Sequence, residues 1–473
     1  MNKKLITAAI AAALAASSLG AHAATSDATV RNLENKIDDM ANQLQAMKAQ
    51  LDALKAENQK LSTQQQEQAK TQAAQNTQVQ QLQTAQINTE QSLQQAAAKP
   101  SPLDNLSIFG YGEIGYTRPT HKTDDTTMDL SRAVFGFGYR FDDKTHFSSE
   151  FEVEHAVASA DDAGEIEVEQ FYVDHQLTDN LGLRAGLFLM PVGLLNEHHE
   201  PTAYYGVYRN FVETLIIPST WREGGVALNG NTDSGLDWSV GLTTGLNLSG
   251  WDFAPETPAY NSALTMQTSD SAPLQTSHQE LSFANAKDPA QYVSLNYHGV
   301  PGLLVGGSVF TGKAVPVAGV DSQRVTLWEA HARYNPGKLD VSALYADGRI
   351  SNTAQANLRY AGTANPMPAS FNGGYLQAAY TVWERDEQRL TPFVRGERYN
   401  MGKSYDGIAP GFAPPPNAPV TADGSVFLAP RDTVWTAGLN YYLTNDVVFK
   451  ADYQWFNDNT DFNRLNLGMG LAF

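Results

Sequence analysis

The residues that most restrict the fold are the last eleven. "NRLNLGMGLAF" sets Leu465, Leu467, Met469, Leu471 and Phe473 in strict alternation with Asn466, Gly468, Gly470 and Ala472. Successive side chains of a strand point to opposite sides, so this pattern makes a strand with one apolar face. The same texture recurs from Pro102 onward. "AVFGFGYRF" puts Ala133, Phe135, Phe137, Tyr139 and Phe141 on one face and Val134, Gly136, Gly138 and Arg140 on the other, and "LDWSVGLTTGL" does likewise with Leu236, Trp238, Val240 and Leu242. "YVSLNYH", "TLWEAHARY", "LDVSALYAD", "YLQAAYTVW", "LTPFVRGERY", "TVWTAGLNYY" and "VVFKADYQWF" continue the series. Each signal is modest, and their number makes the argument for an all-β domain.

The connections alternate in length. Tight turns at Asp142–Lys144, Pro301, Asn335–Lys338 and Leu443–Asp446 are separated by long polar loops, among them Asn247–Pro289, Ser351–Gly373 and Met401–Arg431. Short turns on one side and long loops on the other are the habit of a transmembrane barrel, whose short turns face the periplasm. Counting from Leu106 to Phe473 gives about 16 antiparallel strands, an even number in the size range that leaves an aqueous channel. Lipid offers backbone groups no partner, so only a closed sheet satisfies them. A soluble sandwich would instead bury its apolar face against a second sheet. Tyr441, Tyr442, Trp383 and Trp455, near strand ends, suit the interfacial aromatic girdles.

The start of the chain points the same way. Lys3 and Lys4 precede a short apolar run, and Ala21 and Ala23 supply the small residues of a cleavage site, so 1–23 reads as a secretory signal peptide. No later stretch approaches the ~20 consecutive apolar residues of a spanning helix. The expected location is the outer membrane of a Gram-negative bacterium, with lipid and lipopolysaccharide around the wall. The formal net charge of −19 argues against nucleic acid as a partner, and the absence of cysteine removes disulfides and thiolate metal ligands. No cofactor is implied.

Ahead of the barrel, 24–63 carries a heptad repeat. Val30, Ile37, Leu44, Leu51 and Asn58 fall seven apart, and Leu33, Met40, Met47, Leu54 and Leu61 form the adjoining row. A seam this narrow predicts an α-helical periplasmic coiled coil, with Asn58 fixing register. The Gln/Ala-rich stretch 64–102 extends or links it until "AAAKPSP" ends any helix. The barrel domain is 103–473. Self-association through the coil, with closed cyclic symmetry, makes a homo-oligomer, most naturally a trimer; the seam leaves two and three strands open.

One long connection differs from the rest. "LLNEHHEPTAYYGVYRN" brings two histidines and two glutamates together, and "VETLIIPSTW" follows. Adjacent His198 and His199 diverge on a strand or a helix, whereas two histidines sharing a zinc ion sit at i and i+4, so a metal-dependent enzyme is the weaker reading. No Ser/His/Asp or Gly-x-Ser-x-Gly arrangement stands out. The apolar content of Pro201–Trp221 predicts packing on the barrel wall or at a subunit interface, with only the polar tips reaching the lumen. Strand parity then assigns inward residues. Glu150, Glu152 and Glu154 form an acidic stripe, while Arg132, Arg140, Arg395, Lys450 and Arg464 lie on the other side of the barrel. With Arg184, and with Glu197, His198, His199, Glu200 and Arg209 on or beside the connection, these are the pore-lining candidates. A negative face opposite a positive one would orient polar solutes.

The periplasmic coil, about 16 strands, "EVEQFYVDHQL" followed by "LRAGLFLMPVGLLNE", and the terminal Phe473 together resemble trimeric outer-membrane porins, most nearly the phosphate-selective porin O/P type. The resemblance implies passive diffusion of small hydrophilic or charged solutes, with the third long loop, 191–222, folded inward as the constriction. It does not carry phosphate over. The corresponding loop has Arg209 and Arg222 but no lysine, beside Glu197, Glu200, Glu213 and Glu223, so a general or differently selective porin fits better. The competing reading is an envelope tether, whose coil grips a periplasmic partner while the barrel only anchors it.

Overall fold

The computed structural model describes two units separately, Met1–Pro100 and Ser101–Phe473. In the first, residues 32, 34–36, 38–40, 42–49, 51, 52 and 55 are described; in the second, 102–159, 164–253, 272–361, 365–408 and 431–473. The described residues of the first unit are helical and exposed, Met40, Leu44, Met47 and Leu51 among them. The remaining seam positions, Val30, Leu33, Ile37, Leu54, Asn58 and Leu61, lie outside the described residues.

The second unit is a single closed sheet. Its segments are β1 (Leu106–Pro119), β2 (Thr127–Arg140), β3 (Thr145–Glu154), β4 (Ile166–Thr178), β5 (Leu181–Leu189), β6 (Arg222–Asn231), β7 (Leu236–Thr243), β8 (Ala290–Val300) and β9 (Leu303–Ala314). There follow β10 (Gln323–Tyr334), β11 (Leu339–Ile350), β12 (Ser370–Tyr380), β13 (Trp383–Arg385), β14 (Gln388–Ser404), β15 (Arg431–Tyr442), β16 (Val447–Phe456) and β17 (Arg464–Ala472). Every segment pairs antiparallel with its neighbours, and β1 pairs with β17 to close the ring. Short β13 continues the line of β12, both pairing with β14, so the 17 segments make a 16-strand antiparallel barrel. Closure leaves no edge, as backbone groups in a nonpolar surround require.

The two faces of the wall are inverted relative to a soluble protein. Outward residues are large, apolar and uncovered, including Phe135, Phe171, Val226, Leu376 and Trp435. Inward residues of the wall are polar and buried, including Arg132, Glu152, Arg395, Lys450 and Asn466. This is the apolar-out, polar-in alternation of transmembrane barrels. Trp383 and Trp455 are exposed as girdle residues should be, but Tyr442 is not. It shares inward parity with Asn440, takes a hydrogen bond from the Asn440 side-chain amide at 3.3 Å and lies under the Arg389 guanidinium. Expecting it at the water line took residue type over register.

The buried apolar cluster comes largely from connections. Val212, Leu215, Ile216, Ile217 and Trp221, between β5 and β6, join Leu246, Leu248 and Leu274, between β7 and β8, against wall residues such as Phe310, Phe371 and Tyr399. The apolar half of the long connection therefore packs on the barrel wall, the first of the two placements its composition allowed.

Candidate functional site

The connection between β5 and β6 spans 190–221, with Arg222 already in β6. Asn196 ties its two ends together. The Asn196 amide nitrogen donates to the carbonyls of Met190 (2.7 Å) and Trp221 (2.8 Å), and its oxygen accepts from the Trp221 amide (2.8 Å). Glu213 organises the middle by accepting from the Leu194 and Leu195 amides, both at 2.7 Å, from Asn210 at 3.0 Å and from the Tyr375 hydroxyl of β12 at 2.8 Å. Burial pushes the Glu213 carboxyl above its ordinary value, opposed by those hydrogen bonds.

From Tyr204 to Phe211 the connection runs along the inward faces of β12 and β14 to β17 and of β1. The Gly206 and Val207 amides donate to Asn440 (3.2 Å) and Asp452 (2.6 Å), and the Phe211 amide donates to Glu397 (2.6 Å). Tyr204 donates to Glu113, and Tyr208 bonds Thr117 at 2.8 Å. Gly206 has φ +88°, with Phe393 and Asp452 closing on the space a Cβ would take, so glycine is required at that turn. The inward glycines Gly468 and Gly470 of the last strand do a different job, since Val207 and Pro201 occupy the volume that side chains there would fill.

The polar half of the connection faces a cavity of about 870 Å³ lined by Glu197, His198 and Glu200, by Tyr205, and by His331 and Arg333 of β10. Tyr205 donates to Asp340 at 3.1 Å, and Arg333 holds the same carboxylate at 2.6 Å. The cavity extends to the short-turn side, where Asn335, Gly337 and Lys338 join its lining.

The structure places the sequence candidates differently. Glu197, His198 and Glu200 line the cavity, and Arg184 stands behind them, bonded to Asp174 at 2.9 Å and 3.9 Å from Glu197. His199 turns away from His198 and is buried, its Nδ1–H donating to the Asn196 carbonyl at 2.8 Å and its Nε2 2.6 Å from the Tyr111 hydroxyl. Glu150 and Glu152 are buried inward residues of β3, with Glu154 half-buried at the strand end.

Arg132, Arg395, Lys450 and Arg464 are inward but buried near the connection rather than open to the cavity. Arg132 bonds Glu113 at 2.8 Å and the His199 carbonyl at 2.5 Å; Arg395 bonds Glu397 at 2.9 Å. Lys450 sits 3.6 Å over the Tyr204 ring on the strand that carries Asp452, and Arg464 bonds Gln454 at 2.6 Å. The expected bare positive face is therefore corrected. Burial in a poor dielectric requires compensation, and Glu113 and Glu397, absent from the sequence-based set, supply it for the two arginines bonded to them. Arg140 is corrected too, lying exposed at the turn-side rim against Asn105. Arg209 donates to the Thr220 hydroxyl at 3.1 Å.

Sequence reasoning also missed Glu167 and Glu169. "EIEVEQF" alternates acidic and apolar residues as plainly as the stripe on β3, so the signal was present. A β-bulge adds what alternation cannot foretell. Glu150 pairs with Gln170 and Phe151 with Val168, which leaves Glu169 as the extra residue, and it is fully buried.

No family model matches the chain. A curated protein of Aquifex aeolicus (strain VF5), itself uncharacterised, is 28% identical over 357 residues, covering 74% of this chain and 75% of that one. Among solved structures, OmpF of Salmonella typhi in complex with daunomycin aligns with a TM-score of 0.51 at 14% identity, covering 78% of this chain and 98% of OmpF. An anion-selective porin from Comamonas acidovorans aligns with a TM-score of 0.47 at 11% identity, covering 78% and 99%. The barrel is porin-like in fold.

Proposed function

We propose that the protein is a channel of the bacterial outer membrane that passes small hydrophilic or charged solutes by passive diffusion, with the connection 190–221 as its constriction. The observation that carries this reading is the inverted wall, apolar outside and polar inside, enclosing a cavity of about 870 Å³ bordered by the polar half of that connection. Hydrogen bonds from Gly206, Val207 and Phe211 to inward residues give the connection the rigidity a constriction needs. Stepwise conductance of the purified protein in a planar bilayer tests it. A salt gradient reads ion preference, and added phosphate, dicarboxylates or sugars act as blockers. A silent barrel would leave the tether reading in its place.

The exposed row Met40, Leu44, Met47 and Leu51 supports self-association of the N-terminal helix on the periplasmic side. Deleting 29–61 is expected to leave the conductance of each channel unchanged and to lower the heat stability of the oligomer on semi-native gels. An unaltered melting profile would remove the coil from assembly.

A further inference from the structure

We infer that the inner wall at β3 and β4 holds a hard divalent cation, with calcium the best match, between the carboxylates of Glu152, Glu167 and Glu169. One donor oxygen from each lies within 4.8 Å of the other two, the span that a single ion ligated by all three would need. Register explains the convergence. Glu152 and Glu167 are directly opposite across the strand pair, and Glu169, two residues on from Glu167, shares its inward face beside the bulge. Like charges opposite one another destabilise a sheet unless something lies between them.

The second observation is an unmet demand for a positive partner. Glu152 and Glu169 are 2% and 0% exposed, and the Oε1 atom of each has no hydrogen-bond partner. No neighbouring cation hydrogen-bonds either Oε1, although His199 Nε2 stands 3.7 Å from that of Glu169 and Arg132 Nη1 is itself without a hydrogen-bond partner. Arg132 is held by Glu113 and the His199 carbonyl, and Arg222, bonded to Glu167, is shared with Glu280 at 3.0 Å. A buried carboxylate oxygen without a donor is costly, and an ion removes that cost for both groups at once. His199 is a neighbour rather than a ligand. Its Nδ1–H is committed to the Asn196 carbonyl, and its Nε2 lies 2.6 Å from the Tyr111 hydroxyl, which also stands 2.9 Å from the other oxygen of Glu169. That leaves an all-oxygen donor set, which selects Ca²⁺ or Mg²⁺ over zinc and copper, and an irregular three-carboxylate cradle suits the flexible coordination of Ca²⁺ better than the strict octahedron of Mg²⁺.

The site lies on the inner wall of the proposed channel, but its test does not use conductance, so a silent barrel that still binds leaves it standing. The full-length protein, stripped with EDTA in detergent, is titrated with Tb³⁺, followed by protein-sensitised luminescence and by displacement with Ca²⁺. We expect one saturable site per chain, released by Ca²⁺ more readily than by Mg²⁺, and weakened roughly tenfold or more in both E152Q and E169Q. E154Q, whose carboxylate is outside the triad, should bind like the parent. The melting temperature of the unmodified protein should also rise in Ca²⁺ over EDTA, so the result does not depend on the variants folding. Absence of saturable binding at millimolar Ca²⁺ together with an unmoved melting temperature would overturn the site and leave the free Nη1 of Arg132 as the group that answers Glu152. Binding that survives the E152Q/E169Q double variant would overturn it equally.

Discussion

Two stretches of the inner wall bury ionised side chains and treat them differently. Along β14 and around the seam to β2, Arg395 sits against Glu397 and Arg132 against Glu113, with the polar backbone of 204–211 laid over the same faces. Along β3 and β4, Glu150, Glu152, Glu167 and Glu169 crowd together, and the nearby arginines are already engaged. In the first stretch a carboxylate answers each of these two arginines, and the stretch serves as the bed for the inner connection. The second carries excess negative charge and so is the stretch able to act on a passing or resident ion. Position on the inner wall does not make a charge functional; the absence of an internal partner does.

Removing one partner on the compensated wall should be the most damaging change. Arg395→Met leaves Glu397 buried without its cation, an expected loss of about 3–5 kcal/mol read as a lower unfolding midpoint in detergent. An unchanged midpoint would break the comparison at its root.

Next in size is the staple at the ends of the connection. Asn196→Ala strands the Trp221 amide and takes one of two donors from the Met190 and Trp221 carbonyls, and should cost about 2 kcal/mol. If 190–221 is the constriction, conductance should become larger or noisier; a stable protein with identical conductance would separate the connection from the pore.

The smallest effect belongs to the acidic wall. Glu169→Gln keeps shape while removing one charge from the crowded carboxylates, so in EDTA its stability should stay within about 1 kcal/mol of the parent or rise. Its signature lies instead in the reversal potential, which should move toward anions. A stability loss as large as that of Arg395→Met would mean that the two walls are compensated alike.

Much of the barrel was legible because its determinants are local. The alternation in β2, β3 and β17 shows which residues share a face, and the turns at Pro301 and Asn335–Lys338 mark where strands reverse. The apolar run 212–221 foretold a buried connection. Less was legible in the site, because compensation is a relation between residues far apart in sequence. Nothing near Arg395 announces that Glu397 will also receive the Phe211 amide, and nothing near Arg132 announces Glu113. Parity assigned the acidic stripe of β3, while the alternation of Glu167 and Glu169 on β4 went unread and the bulge beside Glu169 could not be counted from it. Tyr442 erred the other way, taken for a girdle residue by its type when its register set it inside.

The bonds of the inner connection also bear on how the barrel is made. Val207 and Phe211 emerge between the fifth and sixth strands, yet their partners Asp452 and Glu397 lie 245 and 186 residues further along. Such contacts are among the slowest to form, because closing so long a loop costs chain entropy before any bond compensates it. Until the late strands pair, the connection lacks these partners. It then works as a gauge of circumference, for a ring closed with a hairpin missing or slipped would present the wrong side chains to Gly206, Val207 and Phe211. Assembly is in this sense proofread from within.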